Sequence, residues 1–320
     1  MTSTRQLLPG AVRRHLIQRR RRGRGFPFTA PTWPTSLDRD PPDRGLGADY
    51  ETEWARRYAV RLARAVVIDN VTRPLAHVVA VPEVRGEEFL RLVEPPVIFA
   101  ANHASHIDTP LLMSLLPLRF RHRTVVAAAA DHFFDRRWKA HLWAGALNAI
   151  PIERHRVNRR SAEVATELLD QGWNLLIFPE GGRSPDGWFQ PMRGGAAYLS
   201  VRTGRPVIPV HLHGTWRILP KEGTGLRRGR TAVRFGMPLS PTEAEDARRF
   251  GARIETALAT MADESTSDWW TARRRAAAGT TPSARGPDAA PWRRAWALGP
   301  DPADAEADDP RRWAVREAGH

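Results

Sequence analysis

From about Pro82 onward the sequence predicts an α/β fold, a single sheet of several short strands flanked by helices. Two observations carry this. Short runs rich in Val, Ile and Ala alternate with stretches of helical periodicity, and Gly or Pro punctuates most of the junctions. The chain has 320 residues and is 42% hydrophobic, enough to bury one sizeable core.

The elements follow in order. Residues 1–48 combine Arg runs with Pro, Gly and Thr, and are expected to form a disordered basic tail. Trp54, Tyr58 and Leu62 then recur every fourth residue beside Arg57, Arg61 and Arg64. That spacing predicts a basic amphipathic helix within 49–80. Its aromatic face either packs on the core or lies in a membrane interface. Buried strands are expected at 96–101, 123–129, 148–152, 174–178, 207–211 and 231–235. Helices are expected at 109–116, 161–170 and 195–202, the last closed by Gly204. A further helix runs from Pro241 to about Ala262. The predicted domain is therefore 49–262, and 263–320 reads as a Trp-, Arg- and Pro-rich C-terminal tail without a core of its own, again expected to be disordered.

Composition narrows the function. With no cysteine in the chain, disulfides, thiolate metal sites and a Cys nucleophile are excluded. The formal charge is +14, carried almost entirely by Arg, with Lys only at Lys139 and Lys221. Such a chain is drawn to polyanions, either nucleic acid or an anionic lipid surface. No run approaches the ~20 apolar residues of a spanning helix, since 111–118 and 125–130 are too short. The N-terminal stretch lacks the apolar core of a secretory signal. The expected location is cytoplasmic, peripheral on the inner face of the cell membrane.

Two segments carry chemistry. The first is Asn102-His103-Ala104-Ser105-His106-Ile107-Asp108, placed directly after a strand, where α/β sheets present reacting groups. A turn that folds His103 back to Asp108 would give a base with an orienting carboxylate. Asp108-Thr-Pro also reads as a helix N-cap, and His106 competes as the base. The second segment runs from Phe178 through Pro179, Glu180, Gly181, Gly182 and Arg183 to Ser184. It offers backbone N–H groups and a guanidinium to an anion, and is equally readable as a Gly/Pro turn. Arg154 follows the strand at 148–152, and Arg193 precedes Gly194-Gly195, so three Arg residues stand at strand or helix ends.

Together these segments resemble the glycerophospholipid acyltransferase family. The Asn-His-x4-Asp motif is matched by Asn102, His103 and Asp108. Ile150-Pro-Ile-Glu-Arg154 matches the second motif, Phe178 to Ser184 the third, and Val207-Ile-Pro-Val210 the fourth. The resemblance covers about 75–240 and implies the acyltransferase-like fold. It also implies roles: His103 deprotonates the acceptor hydroxyl and Asp108 orients it. Glu180, Gly181, Gly182 and Arg183 hold the acceptor's phosphate region with Arg154 and Arg193, and Pro209 shapes the pocket. Gly182 departs from the family's Thr, which leaves the acceptor headgroup the open part.

The reaction implied is transfer of a fatty acyl group from acyl-CoA or acyl-carrier protein to 1-acyl-glycerol-3-phosphate (lysophosphatidic acid), giving phosphatidic acid. No cofactor or metal is implied, because the thioester is already activated. The alternative acceptors are glycerol-3-phosphate, another lysophospholipid or a glycolipid. Two further classes are a metal-dependent hydrolase using His103, His106 and Asp108, and a nucleic-acid-binding protein. No nucleic-acid motif is present, so an anionic membrane surface is the expected polyanion.

Overall fold

A computed structural model describes residues 46–153, 159–221 and 225–298. Helices α1 (Tyr58–Val67) and α2 (Arg73–Ala80) are joined by a π-helical turn, Ile68–Thr72, into one helical stretch. The strands are β1 (Pro82–Arg85), β2 (Ile98–Ala101), β3 (Thr124–Ala129), β4 (Ala149–Ile152), β5 (Asn174–Ile177), β6 (Val207–His213) and β7 (Thr231–Phe235). Between them lie α3 (Asp108–Leu115), α4 (Leu118–Arg121), α5 (Ala130–Phe133), α6 (Arg137–Leu147), α7 (Arg159–Asp170), α8 (Gly195–Thr203) and α9 (Thr215–Ile218). Helices α10 (Ala247–Thr266), α11 (Trp269–Ala277) and α12 (Pro291–Ala297) close the described chain.

The seven strands form one sheet in the order β1-β7-β6-β2-β5-β3-β4, parallel except for the β6–β7 pair. The expected α/β sheet flanked by helices is what forms. Strand β2 shows why its sequence is apolar throughout. Side chains alternate across a strand, so Phe99 and Ala101 enter one core layer with Leu111, Phe120 and Ile208. Ile98 and Ala100 enter the other, with Leu169, Leu175, Phe250 and Leu258. A central parallel strand covered on both faces has no polar side to show.

Three expectations change. Strand β1 and helices α5 and α6 had no counterpart in the sequence reading. The first is a four-residue edge strand with alternate half-buried positions, too short to show a period. The helical stretch does not begin at Trp54, because Arg57 is extended (ψ 146°) and separates a short 3₁₀ turn, Glu53–Arg56, from α1. The tail expected from 263 is helical and packed as far as 298. Asp263 is buried and paired with Arg275, and Ala272 is fully buried.

The basic stripe of the first helix also turns out differently. Arg64 points inward and donates to the carbonyls of Ala55 (2.9 Å) and Gly145 (2.9 Å). Burial pushes its guanidinium pKa down to about 10. Arg61 lies over the Trp173 ring. Trp54 stacks on His141, while Tyr58, Leu62, Val66, Val67, Val71, Leu75 and Val78 face solvent.

Candidate active site

The loop after β2 is held by its own polar side chains. The Asn102 amide donates to the Leu212 carbonyl (2.9 Å) and its oxygen accepts the Leu212 N–H (2.7 Å). It thus continues the β2–β6 ladder one residue past the strand. Next, Asp108 folds back: its Oδ2 accepts the N–H groups of Ala104 (2.7 Å) and Ser105 (2.8 Å) and meets His103 Nδ1 at 2.8 Å. Asp108 is fully buried. Its carboxylate therefore closes the loop upstream and does not cap its own helix, whose N-cap position is Ile107.

A carboxylate only accepts, so Nδ1 carries the proton and Nε2 keeps its lone pair. The imidazole is further fixed by stacking on Phe178, with ring centres 4.1 Å apart and planes at 23°. His106 has no carboxylate hydrogen bond. Desolvation, followed by the nearby Arg183 charge and then His103, pushes its pKa down to about 4. Of the two histidines, His103 is the one held by a carboxylate.

Glu180 lies where β5 has ended and is buried. Its Oε1 accepts the His103 N–H and its Oε2 the Gln190 N–H, both at 2.7 Å. The Ser184 N–H donates to the His103 carbonyl, also at 2.7 Å. Glu180 and Ser184 therefore grip the His103 peptide from both sides. Both carboxylate oxygens are thus taken by backbone N–H groups, and Glu180 is not among the residues that line the cavity beside His103. Burial raises its pKa to about 7; the two N–H groups pull the other way, and Asp108 raises it further.

His103 opens onto a cavity of ≈ 820 Å³. Its lining includes Gly181, Gly182, Arg183, Arg193 and Lys221 together with the apolar Val126, Ala127, Ala129, Phe133, Trp143, Leu147, Ala162 and Ala165. Gly181 has φ +68°, and a Cβ there would stand 2.9 Å from Arg193 Nε, so glycine lets the Arg193 side chain close over the turn. No carboxylate among the described residues pairs with Arg183 or Arg193. Burial lowers the Arg183 pKa, with Asp108 acting against it. Pro209 is placed elsewhere: it is buried in β6, and its Cγ would be 2.7 Å from a Cβ on Gly236. Ile152 and Glu153 line the cavity, and Arg154 lies outside the described residues. Sequence reasoning gave no role to Asn102, Ser184 or Lys221. The first two act through backbone partners distant in sequence, which no local pattern records.

Residues 81–213, which contain His103, Asp108, Glu180, Arg183 and Arg193, match the family model described as Acyltransferase. This stretch is an acyltransferase-family domain. The 1-acyl-sn-glycerol-3-phosphate acyltransferase BAT2, chloroplastic, of Brassica napus is 29% identical over 170 residues, 51% of this chain and 46% of that protein. The 1-acyl-sn-glycerol-3-phosphate acyltransferase alpha of Ovis aries is 28% identical over 199 residues, 58% of this chain and 64% of its own. The chain thus spans less than two thirds of the length of these relatives. A solved structure, the 1-acyl-sn-glycerophosphate (LPA) acyltransferase PlsC of Thermotoga maritima, superposes with a TM-score of 0.49 at 23% identity, over 65% of this chain and 81% of that one. The family match ends with β6, so α9, β7 and α10 to α12 lie beyond it.

Among the described residues no group of three or more His, Asp or Glu side chains is placed to hold a metal ion.

Proposed function

We propose that this chain transfers a fatty acyl group from a thioester, acyl-CoA or acyl-carrier protein, to the free hydroxyl of 1-acyl-glycerol-3-phosphate, giving phosphatidic acid. The observation that carries the reading is the His103–Asp108 pair, opening onto a cavity lined by both cations and apolar side chains. His103 Nε2 takes the hydroxyl proton as the oxygen attacks the thioester carbonyl. The tetrahedral intermediate collapses, the C–S bond breaks, and the leaving thiolate recovers the proton from the imidazolium. Asp108 holds the ring and stabilises its charged form. Arg183 and Arg193 supply guanidinium donors for the acceptor's phosphate. The alanines in the cavity lining suit an acyl chain, because small side chains leave width without polar groups.

The substrates are lipids, and no helix among the described residues is long and apolar enough to cross a membrane. The solvent-facing apolar row on α1 and α2 supports binding to the surface of an anionic membrane. A cytoplasmic site on its inner face is part of the same proposal.

The test is thiol release from acyl-CoA in the presence of an acceptor panel, with products identified by mass spectrometry. The panel holds 1-acyl-glycerol-3-phosphate, glycerol-3-phosphate, a zwitterionic lysophospholipid and a glycolipid. Preferred conversion of the first to phosphatidic acid is expected. Acylation of another member alone would replace the acceptor, and thioester consumption independent of any acceptor would point to hydrolysis.

A further inference from the structure

The segment 284–298 lies beyond the stretch matched to the family, yet it converges on the loop 184–190 that follows Arg183. Arg294 Nε donates to Asp186 Oδ2 at 2.6 Å, and Trp188 Nε1 donates to the Arg294 carbonyl at 2.9 Å. The rest of the Arg294 guanidinium ties the segment to itself, donating to the carbonyls of Pro287 (2.8 Å) and Arg285 (3.0 Å). The Phe189 N–H donates to the Ala284 carbonyl at 3.0 Å. Gly286, at φ +75°, passes so close to the Trp188 ring that a Cβ there would meet it at 2.4 Å.

From the other side the same loop reaches the reacting residue. Asp186 Oδ1 accepts the Ser184 hydroxyl at 3.3 Å and the Trp188 N–H at 3.2 Å. Ser184 Oγ accepts the Gly187 N–H at 2.9 Å, and the Ser184 N–H is bonded to the His103 carbonyl. At its far end the loop delivers the Gln190 N–H to Glu180, whose second oxygen holds the His103 N–H. Both hydrogen bonds that fix the His103 peptide therefore depend on the shape of 184–190.

A loop of this composition, Ser-Pro-Asp-Gly-Trp-Phe-Gln, contains no regular element to keep that shape. We propose that 284–298 is a strap that supplies the missing rigidity, and that Arg294 is a positioning residue acting through Asp186 and Ser184 on His103. Arg294 meets no part of the cavity wall, so its effect is on placement and not on substrate contact. Catalysis is sensitive to such placement: a shift of about 1 Å in a reacting group costs up to ~10²-fold in rate.

The experiment uses the full chain and two variants substituted in the strap, Arg294→Ala, which removes the contact to Asp186, and Gly286→Ala, whose Cβ would press on Trp188, with Arg294→Lys as the conservative control. Hydrogen exchange reads the strap directly. Amides of 184–190 and of His103 should exchange at least about tenfold faster in both Ala variants, with the strands unchanged. Unchanged protection of that loop in both overturns the proposal.

The second arm rests on the transferase reading. Here kcat should fall by about 10–100-fold with the thioester KM unchanged, and Arg294→Lys, which keeps the charge opposite Asp186, should recover part of the loss. Faster loop exchange with wild-type kcat overturns the positioning role. If Arg294→Ala exposes the whole sheet, Gly286→Ala and Arg294→Lys decide by the same two measurements. A wild-type chain that transfers nothing fails the transferase reading, and the exchange arm still judges the strap.

Discussion

With Nδ1 of His103 engaged by Asp108, only Nε2 is left to accept a proton, and this single fact sets the expected response to substitution. His103→Ala should lower kcat at least about 10²-fold while the thermal midpoint stays close to that of the wild type. The ring contributes a stack on Phe178 and little of the core. A variant retaining more than about a tenth of wild-type kcat removes His103 from the mechanism. Glu180 makes a different prediction. Its pKa is raised, so the stability that it allows is fully present below the unfolded value of 4.5 and is lost as pH rises through about 7. A rise of that size corresponds to about 3 kcal/mol. The stability of Glu180→Gln relative to wild type should therefore improve by about 2–3 kcal/mol between about pH 5 and about pH 8, as read from urea denaturation. A gap independent of pH over that range contradicts a buried carboxylate that titrates near neutrality.

At the scale of elements, the loop at the end of β5 presents Arg183 to the cavity, while Glu180 in the same loop faces the protein. Arg183→Ala should mainly raise KM for a phosphate-bearing acceptor, since a guanidinium–phosphate contact exists in ground and transition states alike. Equal effects on acceptors with and without phosphate would remove Arg183 from headgroup recognition. How much of this the sequence reveals depends on the range of the interaction. Strands β2 to β7 and the His103–Asp108 pair were legible because apolar runs and a separation of five residues are local signals. Arg183 was legible as a guanidinium after glycines. The inward role of Glu180 was not, because its partners His103 and Gln190 lie 77 and 10 residues away. Nor was the inward turn of Arg64, since helical spacing places a residue on a face but does not say which carbonyls, here those of Ala55 and Gly145, wait beneath it. Helices α11 and α12 were missed for a related reason: their Arg-rich stretches are held by pairs distant in sequence, such as Arg275–Asp263 and Arg294–Asp186.

The whole molecule combines a net charge of +14 with one apolar helical row, and the two should act together at a membrane. The inner side of that row, Ile68, Ala76 and Ala80, shares a core layer with Leu111, Leu112 and Leu116 around the helix that Asp108 begins. A surface that receives the outer side is thus one helix layer from the reacting pair. Each Arg near an anionic surface contributes about 1 kcal/mol. Burial of a Leu side chain adds about 1.5–3 kcal/mol, reduced here because Leu62 and Leu75 are already about half covered. The chain should therefore sediment with vesicles containing anionic lipid, release at high salt, and bind neutral vesicles much more weakly. Leu62→Gln with Leu75→Gln leaves the inner packing untouched, and should weaken binding about tenfold or more at low salt. Deleting residues 1–45 should weaken it only partly, because Arg charges are removed while the apolar row remains. Charge and row are separable in this design. Binding that survives both the double Gln substitution and high salt would place the lipid contact on another surface, and equal binding to neutral vesicles would remove the charge from the account.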